Sequence, residues 1–116
     1  MSETVKTVVL NTNSDFRRAY WRGKSYKHPA LVTYVNKNRA GICRIGITAG
    51  KKIGNAVHRN RAKRVIRAAF ARCKPQLISG TGCDIVFVAR TKTTYSNSND
   101  IYAVMSEQLK SAGIMK

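Results

Sequence analysis

The spacing of hydrophobic positions changes several times along the chain, and each spacing predicts an element. Alternating, β-branched residues in LVTYV (31–35) and CRIGITAG (43–50) predict two strands joined by a turn over residues 36–41. Residues 24–28 can add a short strand before them. The continuous apolar run DIVFVAR (84–90) predicts a buried strand, because both of its faces need apolar neighbours.

Three helices are predicted between and around these strands. The first covers residues 11–22, with Ser14 as its N-cap and Gly23 as its end. The second covers residues 56–74 and stops at Pro75. A polar loop, TKTTYSNSN, then precedes a last helix, whose apolar stripe consists of Ile101, Val104, Met105, Leu109 and Ala112.

The resulting order, α-β-β-β-α-β-α, predicts an α/β fold. We expect a two-layer α-β sandwich in which helices pack on a mixed sheet of four strands. The length of 116 residues suits a single domain over residues 1–116, with its core in about 11–112 and residues 1–10 as an N-terminal tail.

The charge balance adds a partner to this picture. The chain has 22 Lys and Arg against 5 Asp and Glu, a formal net charge of +17, and no acid lies between Phe16 and Cys83. A surface of one sign repels itself, so a partner is expected to supply the anions. Nucleic acid is the first candidate, an anionic membrane the second and an acidic protein the third.

Other classes receive little support. The N-terminal apolar run Val8–Leu10 is too short for a signal segment, and no basic amphipathic stretch with aromatic anchors points to a membrane, so we expect a cytoplasmic protein. The three cysteines are widely spaced and predict reduced, partly buried thiols. No cluster of His, Cys or carboxylates predicts a metal site or a protein catalytic residue.

The second helix separates into two faces at about 100° per residue. An apolar side can bury against the sheet, with Phe70 at its edge: Ala62, Val65, Ile66, Ala69 and Cys73. The opposite side carries cations without a counter-charge: Arg59, Asn60, Arg61, Lys63, Arg64 and Arg67. Arginine can hold two phosphate oxygens at once, so this side suits a polyanion, although a solvated basic helix without a partner is an alternative.

Aromatic residues favour single-stranded RNA over duplex DNA. Phe16, Tyr20 and Tyr34 lie among cations of the first helix and a neighbouring strand, where they could stack on exposed bases. The alternative is that the three rings belong to the core.

These residues resemble a known family. RIGIT (44–48) followed by KKIGNAVHRNRAKRVIR (51–67) is similar to the signature of the protein subunit of bacterial ribonuclease P, and DFRRAYWRGKS, ALVTYV and DIVFVAR resemble that family's neighbouring elements. The likeness spans about residues 11–112. It departs from the family at Ala49, Gly50, His58 and Ala68.

The resemblance implies a fold and a function. The strands before and after the basic helix are expected to form a left-handed β-α-β crossover. The partner is expected to be a catalytic RNA, which cuts the 5′ leader from precursor tRNA with Mg²⁺ ions, so the protein itself would carry no catalytic residue and no cofactor. Partners among other proteins are not predicted.

The resemblance also implies two groups of site residues. The catalytic RNA would be bound by Arg59, Asn60, Arg61, Lys63, Arg64 and Arg67. The leader would be bound by Phe16, Tyr20, Tyr34, Thr48, Lys51, Lys52 and Asn55. A structural or chaperone-like RNA-binding protein, associated with the ribosome, is the alternative function that composition fits, and a DNA-binding architectural protein is the third.

Overall fold

The computed structural model describes residues 7–10, 12–38, 41–78 and 82–116, and these form one mixed sheet with helices on both faces. The strands are β1 Thr7–Val9, β2 Lys24–His28, β3 Leu31–Lys37, β4 Cys43–Thr48 and β5 Cys83–Ala89. The α-helices are α1 Asn13–Arg22, α2 Ala56–Cys73, α3 Thr91–Thr94 and α4 Ser98–Ser111. Short 3₁₀ turns cover Lys51–Ile53 and Lys74–Gln76.

The strand order is β1-β4-β5-β3-β2. Strands β4 and β5 are parallel neighbours joined through α2, which confirms the predicted β-α-β unit around the basic helix. Strand β3 runs antiparallel to both β5 and β2. The left-handed sense of the crossover stays a prediction.

The sheet has five strands where the sequence predicts four. The additional strand, β1, lies in the predicted tail and pairs in parallel with Cys43–Ile45 of β4. Leu10 follows it, is 3% exposed, and donates its N–H to the carbonyl of Ile45 at 2.8 Å. The described end of the tail therefore belongs to the sheet. The sequence does not predict this strand, because its three residues have no hydrophobic alternation and are held by hydrogen bonds to a distant strand.

Helix α1 begins later than predicted. Thr12, not Ser14, is its N-cap: the Thr12 hydroxyl accepts a hydrogen bond from the Asp15 N–H at 3.2 Å. The predicted first residue, Asn11, lies outside the described residues. The predicted end is confirmed, since the Gly23 N–H donates to the Ala19 carbonyl, and a Cβ at Gly23 would lie 2.3 Å from that oxygen.

Strand β3 extends into the predicted turn. Asn36 and Lys37 continue the ladder and pair with Asp84 and Cys83, so the connection to β4 starts only at Asn38. Pairing with a long partner strand extends β3 past the point where its own hydrophobic alternation ends.

The predicted polar loop after β5 contains the short helix α3. The Thr93 hydroxyl accepts from the Arg90 N–H at 2.9 Å and donates to the carbonyl of Ala30. Buried hydrogen bonds therefore fold a segment that has no apolar period.

The main core lies between the sheet and the α2–α4 pair. Its fully buried side chains include Leu31, Ile66, Phe87, Met105 and Leu109. The five residues of α2 that are buried are the five predicted on its apolar side, and the half-buried Phe70 ring packs 5.6 Å from that of Phe87. A much smaller cluster lies under α1 on the opposite face and is centred on Leu10, Ala19 and Val86.

Candidate RNA interface

The outer side of α2 is a basic surface, which we call the basic face: Arg59, Asn60, Arg61, Lys63, Arg64 and Arg67. Because the opposite side of α2 is buried in the main core, these side chains point away from the sheet. Asn60, Arg61, Arg64 and Arg67 are exposed, and Arg59 and Lys63 are half-buried. None of the five cations is in an ion pair with a carboxylate of the described residues.

Two members of the basic face are less free than the sequence suggests. The Arg61 Nε donates a hydrogen bond to the carbonyl of Thr94 at 3.0 Å, which anchors one edge of its guanidinium to α3. The Arg59 Nε is shielded from solvent and has no hydrogen-bond partner among the described residues. Arg64 and Arg67 are thus the members best placed to give a whole guanidinium to an anion.

The electrostatics of the basic face favour an external anion. Cations three or four residues apart on a helix repel by a few tenths of a kcal/mol per pair, and α2 contains no acid that would offset the repulsion. Phosphates placed against this face would convert the repulsion into attraction, with a strength that falls as salt rises.

The other face of the sheet carries an aromatic group beside α1. The Phe16 ring lies against the backbone of β4 at Gly46, where an added Cβ would come within 2.5 Å of the ring. The Tyr20 ring meets the Tyr34 ring edge-on, with centroids 4.9 Å apart and planes at 80°. The predicted trio is therefore brought together, with Tyr20 39% exposed and the other two half-buried.

These rings lie next to a row of the sheet that α1 does not contact. Tyr34, Val86 and Gly46 lie side by side on β3, β5 and β4, and they form the row that α1 contacts. The next row on the same face lies two residues away on each strand and consists of Lys27, Val32, Val88 and Thr48. We call the space between α1 and this second row the aromatic cleft.

The aromatic rings serve packing and exposure together. Phe16 and Tyr34 pack against the small cluster of Leu10, Ala19 and Val86, so the alternative that the three rings belong to the core is correct in part for these two and not for Tyr20. The remaining, accessible part of each ring is available to a ligand. Thr48, half-buried at the end of β4, continues the cleft toward α2.

The segment between β4 and α2 connects the cleft with the basic face. Lys51 and Lys52 are exposed on a 3₁₀ turn. Asn55 is the N-cap of α2: its side-chain oxygen accepts from the His58 N–H at 3.1 Å and lies 2.8 Å from the His58 ring nitrogen Nδ1. The sequence predicts Asn55 only as an RNA ligand, but its carbonyl oxygen is used to start the helix.

An ion pair that the sequence does not predict links β4 to β5 and extends to α1. Arg44 binds Asp84 through Nε and Nη2, each at 2.7 Å, and Asp84 is 1% exposed. Its Nη1 lies 3.8 Å from Asp15 on α1, and Asn38 also donates to Asp84. The hydrogen bond to Asp84 raises the pKa of Arg44. The one feature of the sequence that could have indicated this ion pair is Asp84, an acid at the start of an apolar strand in a chain with few acids.

The cysteines lie in the main core. Cys43 and Cys83 are neighbours on β4 and β5, with sulfur atoms 3.2 Å apart, and Cys73 is buried on α2. Burial raises the pKa of Cys73 to about 11, so this thiol is neutral at ordinary pH. Within the described residues no three His, Cys, Asp or Glu side chains come together as metal ligands.

The fold and these two surfaces define a class: a basic α/β protein with a row of uncompensated cations on one helix and a group of half-exposed aromatic rings on the opposite face of its sheet. The chain matches the family described as Ribonuclease P over residues 5–113. It is 40% identical over 110 residues to the ribonuclease P protein component of Clostridium botulinum (strain Loch Maree), covering 95% of this chain and 98% of that protein.

Two solved structures support the same assignment. The ribonuclease P protein of Staphylococcus aureus superposes with a TM-score of 0.79 at 32% identity, covering 93% of this chain and 97% of that one. That of Thermotoga maritima gives a TM-score of 0.77 at 29% identity, covering 90% and 96%. The chain belongs to the ribonuclease P protein family.

Family membership confirms the predicted family, the α/β fold and the function. The protein is a component of a tRNA-processing endoribonuclease, it acts in 5′ maturation of tRNA, and it is not itself the catalyst. Its partner is the RNA of that enzyme. No helix of the described residues has the length and apolar character needed to cross a membrane.

Proposed function

We propose that the chain divides its RNA contacts between two surfaces of one sheet. The basic face of α2 binds the ribonuclease P RNA, and the aromatic cleft binds the 5′ leader of precursor tRNA. The single observation that carries this proposal is the placement of the two groups: uncompensated cations stand on a helix over one face of the sheet, and half-exposed rings stand on the opposite face.

The chemistry of each surface fits its proposed ligand. The basic face offers charge and forked donors without exposed aromatic rings, which suits the backbone of a folded RNA. The cleft offers the edges and faces of Phe16, Tyr20 and Tyr34, which suit unpaired bases of any sequence. A leader has no fixed sequence to read, so stacking is an appropriate way to hold it.

The segment that contains Lys51, Lys52 and Asn55 joins the two surfaces. Two polyanions must approach each other when precursor tRNA meets the catalytic RNA, and Mg²⁺ is the general counter-ion for such an approach. Lysines between the two ligands would take over part of that screening, so the protein would lower the Mg²⁺ concentration that the RNA needs. We place this reaction in the cytoplasm, as the sequence predicts.

Cleavage of a 5′-labelled precursor tRNA by a bacterial ribonuclease P RNA at low Mg²⁺, with and without this protein, tests the proposal. We expect release of the intact leader to depend on the protein at low Mg²⁺ and to become independent of it at high Mg²⁺. A stimulation of equal size at every Mg²⁺ concentration would contradict the screening role.

The protein without RNA serves as the control. We expect it to leave the precursor uncut, because the RNA is the catalyst. Strong binding to bulk ribosomal RNA, without stimulation of cleavage, would favour the alternative of a structural RNA-binding protein.

A further inference from the structure

We propose a third RNA contact on the outer surface of α1, made by Trp21 among three arginines, which holds leader nucleotides that lie beyond the aromatic cleft. The inference rests on the proposed binding of the leader in the cleft. We refer to Arg17, Arg18, Trp21 and Arg22 as the Trp21 cluster; these four side chains line one shallow surface depression.

Trp21 has no packing role in the described fold. It is 86% exposed, the highest value among the large apolar side chains of the described residues. A tryptophan left in water forgoes the favourable free energy of burying an extended ring. A ring so placed is available to stack on a flat partner, and its surroundings indicate which one.

The charges around Trp21 point to a polyanion. Arg17 and Arg22 are in no ion pair with a carboxylate of the described residues, and Arg18 is 3.4 Å from Asp15 in an exposed pair that contributes little. A second copy of this chain would bring another net charge of +17 to the same spot. A membrane is equally disfavoured, because the apolar side of α1 is already packed on the sheet.

The geometry of α1 connects the cluster with the cleft. At about 100° per residue, Ala19 faces the sheet, and Tyr20, Arg17 and Trp21 follow at about 100°, 160° and 200° around the helix. Arg18 and Arg22 come next and share a second depression with Lys37. Cations and rings thus form a continuous track from the cleft over the top of α1.

The track selects the leader as the ligand. Bases stacked on the exposed parts of Phe16, Tyr20 and Tyr34 continue into a strand that must leave the cleft, and crossing α1 beside Tyr20 takes that strand to Trp21. The basic face of α2, in contrast, lies across the sheet from the cluster. Unpaired nucleotides with free base faces are the part of RNA that a Trp–Arg surface holds best.

Trp21 is the chain's only tryptophan, so its fluorescence reports on this site alone. The experiment adds precursor tRNAs with leaders of increasing length to the assembled holoenzyme. We expect quenching of Trp21 fluorescence only when the leader is long enough to pass the cleft. Equal quenching by all leaders, or none by any, would overturn the proposal.

Affinity measurements with substituted holoenzymes provide the second readout. We expect Trp21→Ala to weaken binding of long-leader precursor about five- to tenfold, the effect of losing one stacked base, and to leave short-leader precursor unchanged. Trp21→Phe should retain most of the affinity because it keeps a ring. An equal loss for short and long leaders would assign Trp21 to the catalytic RNA and contradict the proposal.

Two controls separate this proposal from the one on which it rests. Lys110→Ala removes one exposed positive charge from α4 and should not alter the dependence on leader length. Tyr34→Ala should weaken the binding of precursor tRNA even when its leader is short, and an unchanged affinity would refute leader binding in the cleft. If Tyr34→Ala weakens binding as expected but Trp21→Ala changes nothing, only the proposed contact at the Trp21 cluster is refuted.

Discussion

The two faces of the sheet differ in how completely helices cover them. On one face, α2 and α4 cover the strands, and side chains such as Ile85 and Phe87 are wholly buried. On the other face, α1 covers only part of the strands, and Phe16, Tyr34 and Val88 stay half-exposed around a cluster of three buried residues. The comparison indicates that the α2–α4 face supplies most of the stability and the α1 face supplies a surface for a ligand.

The division has an electrostatic counterpart. The basic face of α2 has no compensating carboxylate within its helix, whereas on the other face Arg44 of β4 binds the buried Asp84 of β5 and lies 3.8 Å from Asp15 of α1. Two of the chain's five acids, Asp15 and Asp84, thus lie on or next to α1 and the strands beneath it, and neither pairs with a cation of α2. Loss of stability should therefore be separable from loss of RNA binding.

The largest expected difference between the faces is in stability. Phe87→Ala should lower the free energy of unfolding by about 3–5 kcal/mol, because it leaves a cavity in the main core. Phe16→Ala should cost less than half as much, since that ring is only half-buried. Urea unfolding followed by circular dichroism measures both values. Equal losses would refute the assignment of stability to the α2–α4 face.

A glycine beneath the cleft sharpens the comparison. Gly46→Ala places a methyl group 2.5 Å from the Phe16 ring, so the ring must move; we expect a loss of about 1–3 kcal/mol in unfolding free energy and weaker leader binding. Gly50→Ala is the matched control, because its φ of −75° suits alanine and no heavy atom lies within 4 Å of the new Cβ. If the two variants unfold alike, the methyl group added at residue 46 is accommodated without displacing the Phe16 ring.

The basic face should respond through salt. Arg64→Ala should weaken binding to the ribonuclease P RNA and reduce the slope of log affinity against log salt by roughly 0.7–0.9, the value for one lost phosphate contact. Arg72→Ala is the control: its guanidinium lies 4.0 Å from the centroid of the Tyr102 ring of α4 and donates to Asn99. Filter binding of the RNA over a series of salt concentrations measures the slope for each variant. If Arg64→Ala and Arg72→Ala give the same slope, Arg64 makes no phosphate contact.

The smallest expected effect concerns the cleft itself. Tyr34→Ala should weaken precursor tRNA by about 1 kcal/mol through the loss of one stacked base, and mature tRNA should bind as before. Tyr34→Phe should bind both normally, because it keeps the ring against Tyr20. Competition binding to the holoenzyme provides the numbers. An equal loss for precursor and mature tRNA would make Tyr34 a packing residue.

Elements with a regular hydrophobic period were predictable from sequence. The buried side of α2 follows from its spacing alone, and so does the stripe of α4, where Ile101, Met105 and Leu109 are buried and Val104 and Ala112 are half-buried. In both helices a repeating apolar residue has one physical use, which is to contact the core.

Features held by long-range contacts were not predictable. Strand β1 and helix α3 depend on hydrogen bonds to β4 and to Ala30, and neither contact leaves a local pattern. The roles of Arg44 and Asp84 likewise arise only when β4 and β5 become neighbours. For the site, residue type predicts the ligand class, but the fold decides that Asn55 also caps a helix and that Arg61 also anchors α3.

The contact between Phe16 and Gly46 has a consequence for the cost of binding. The ring lies on backbone, and Tyr20 and Tyr34 hold each other edge to face, so the three rings have little rotational freedom left to lose. Ordering a side chain at an interface usually costs about 0.5–1.5 kcal/mol, and here folding has already met that cost. The cleft is therefore preorganised: under the proposed function, a flexible leader would have to order its own nucleotides, but the rings that receive it would already be in place.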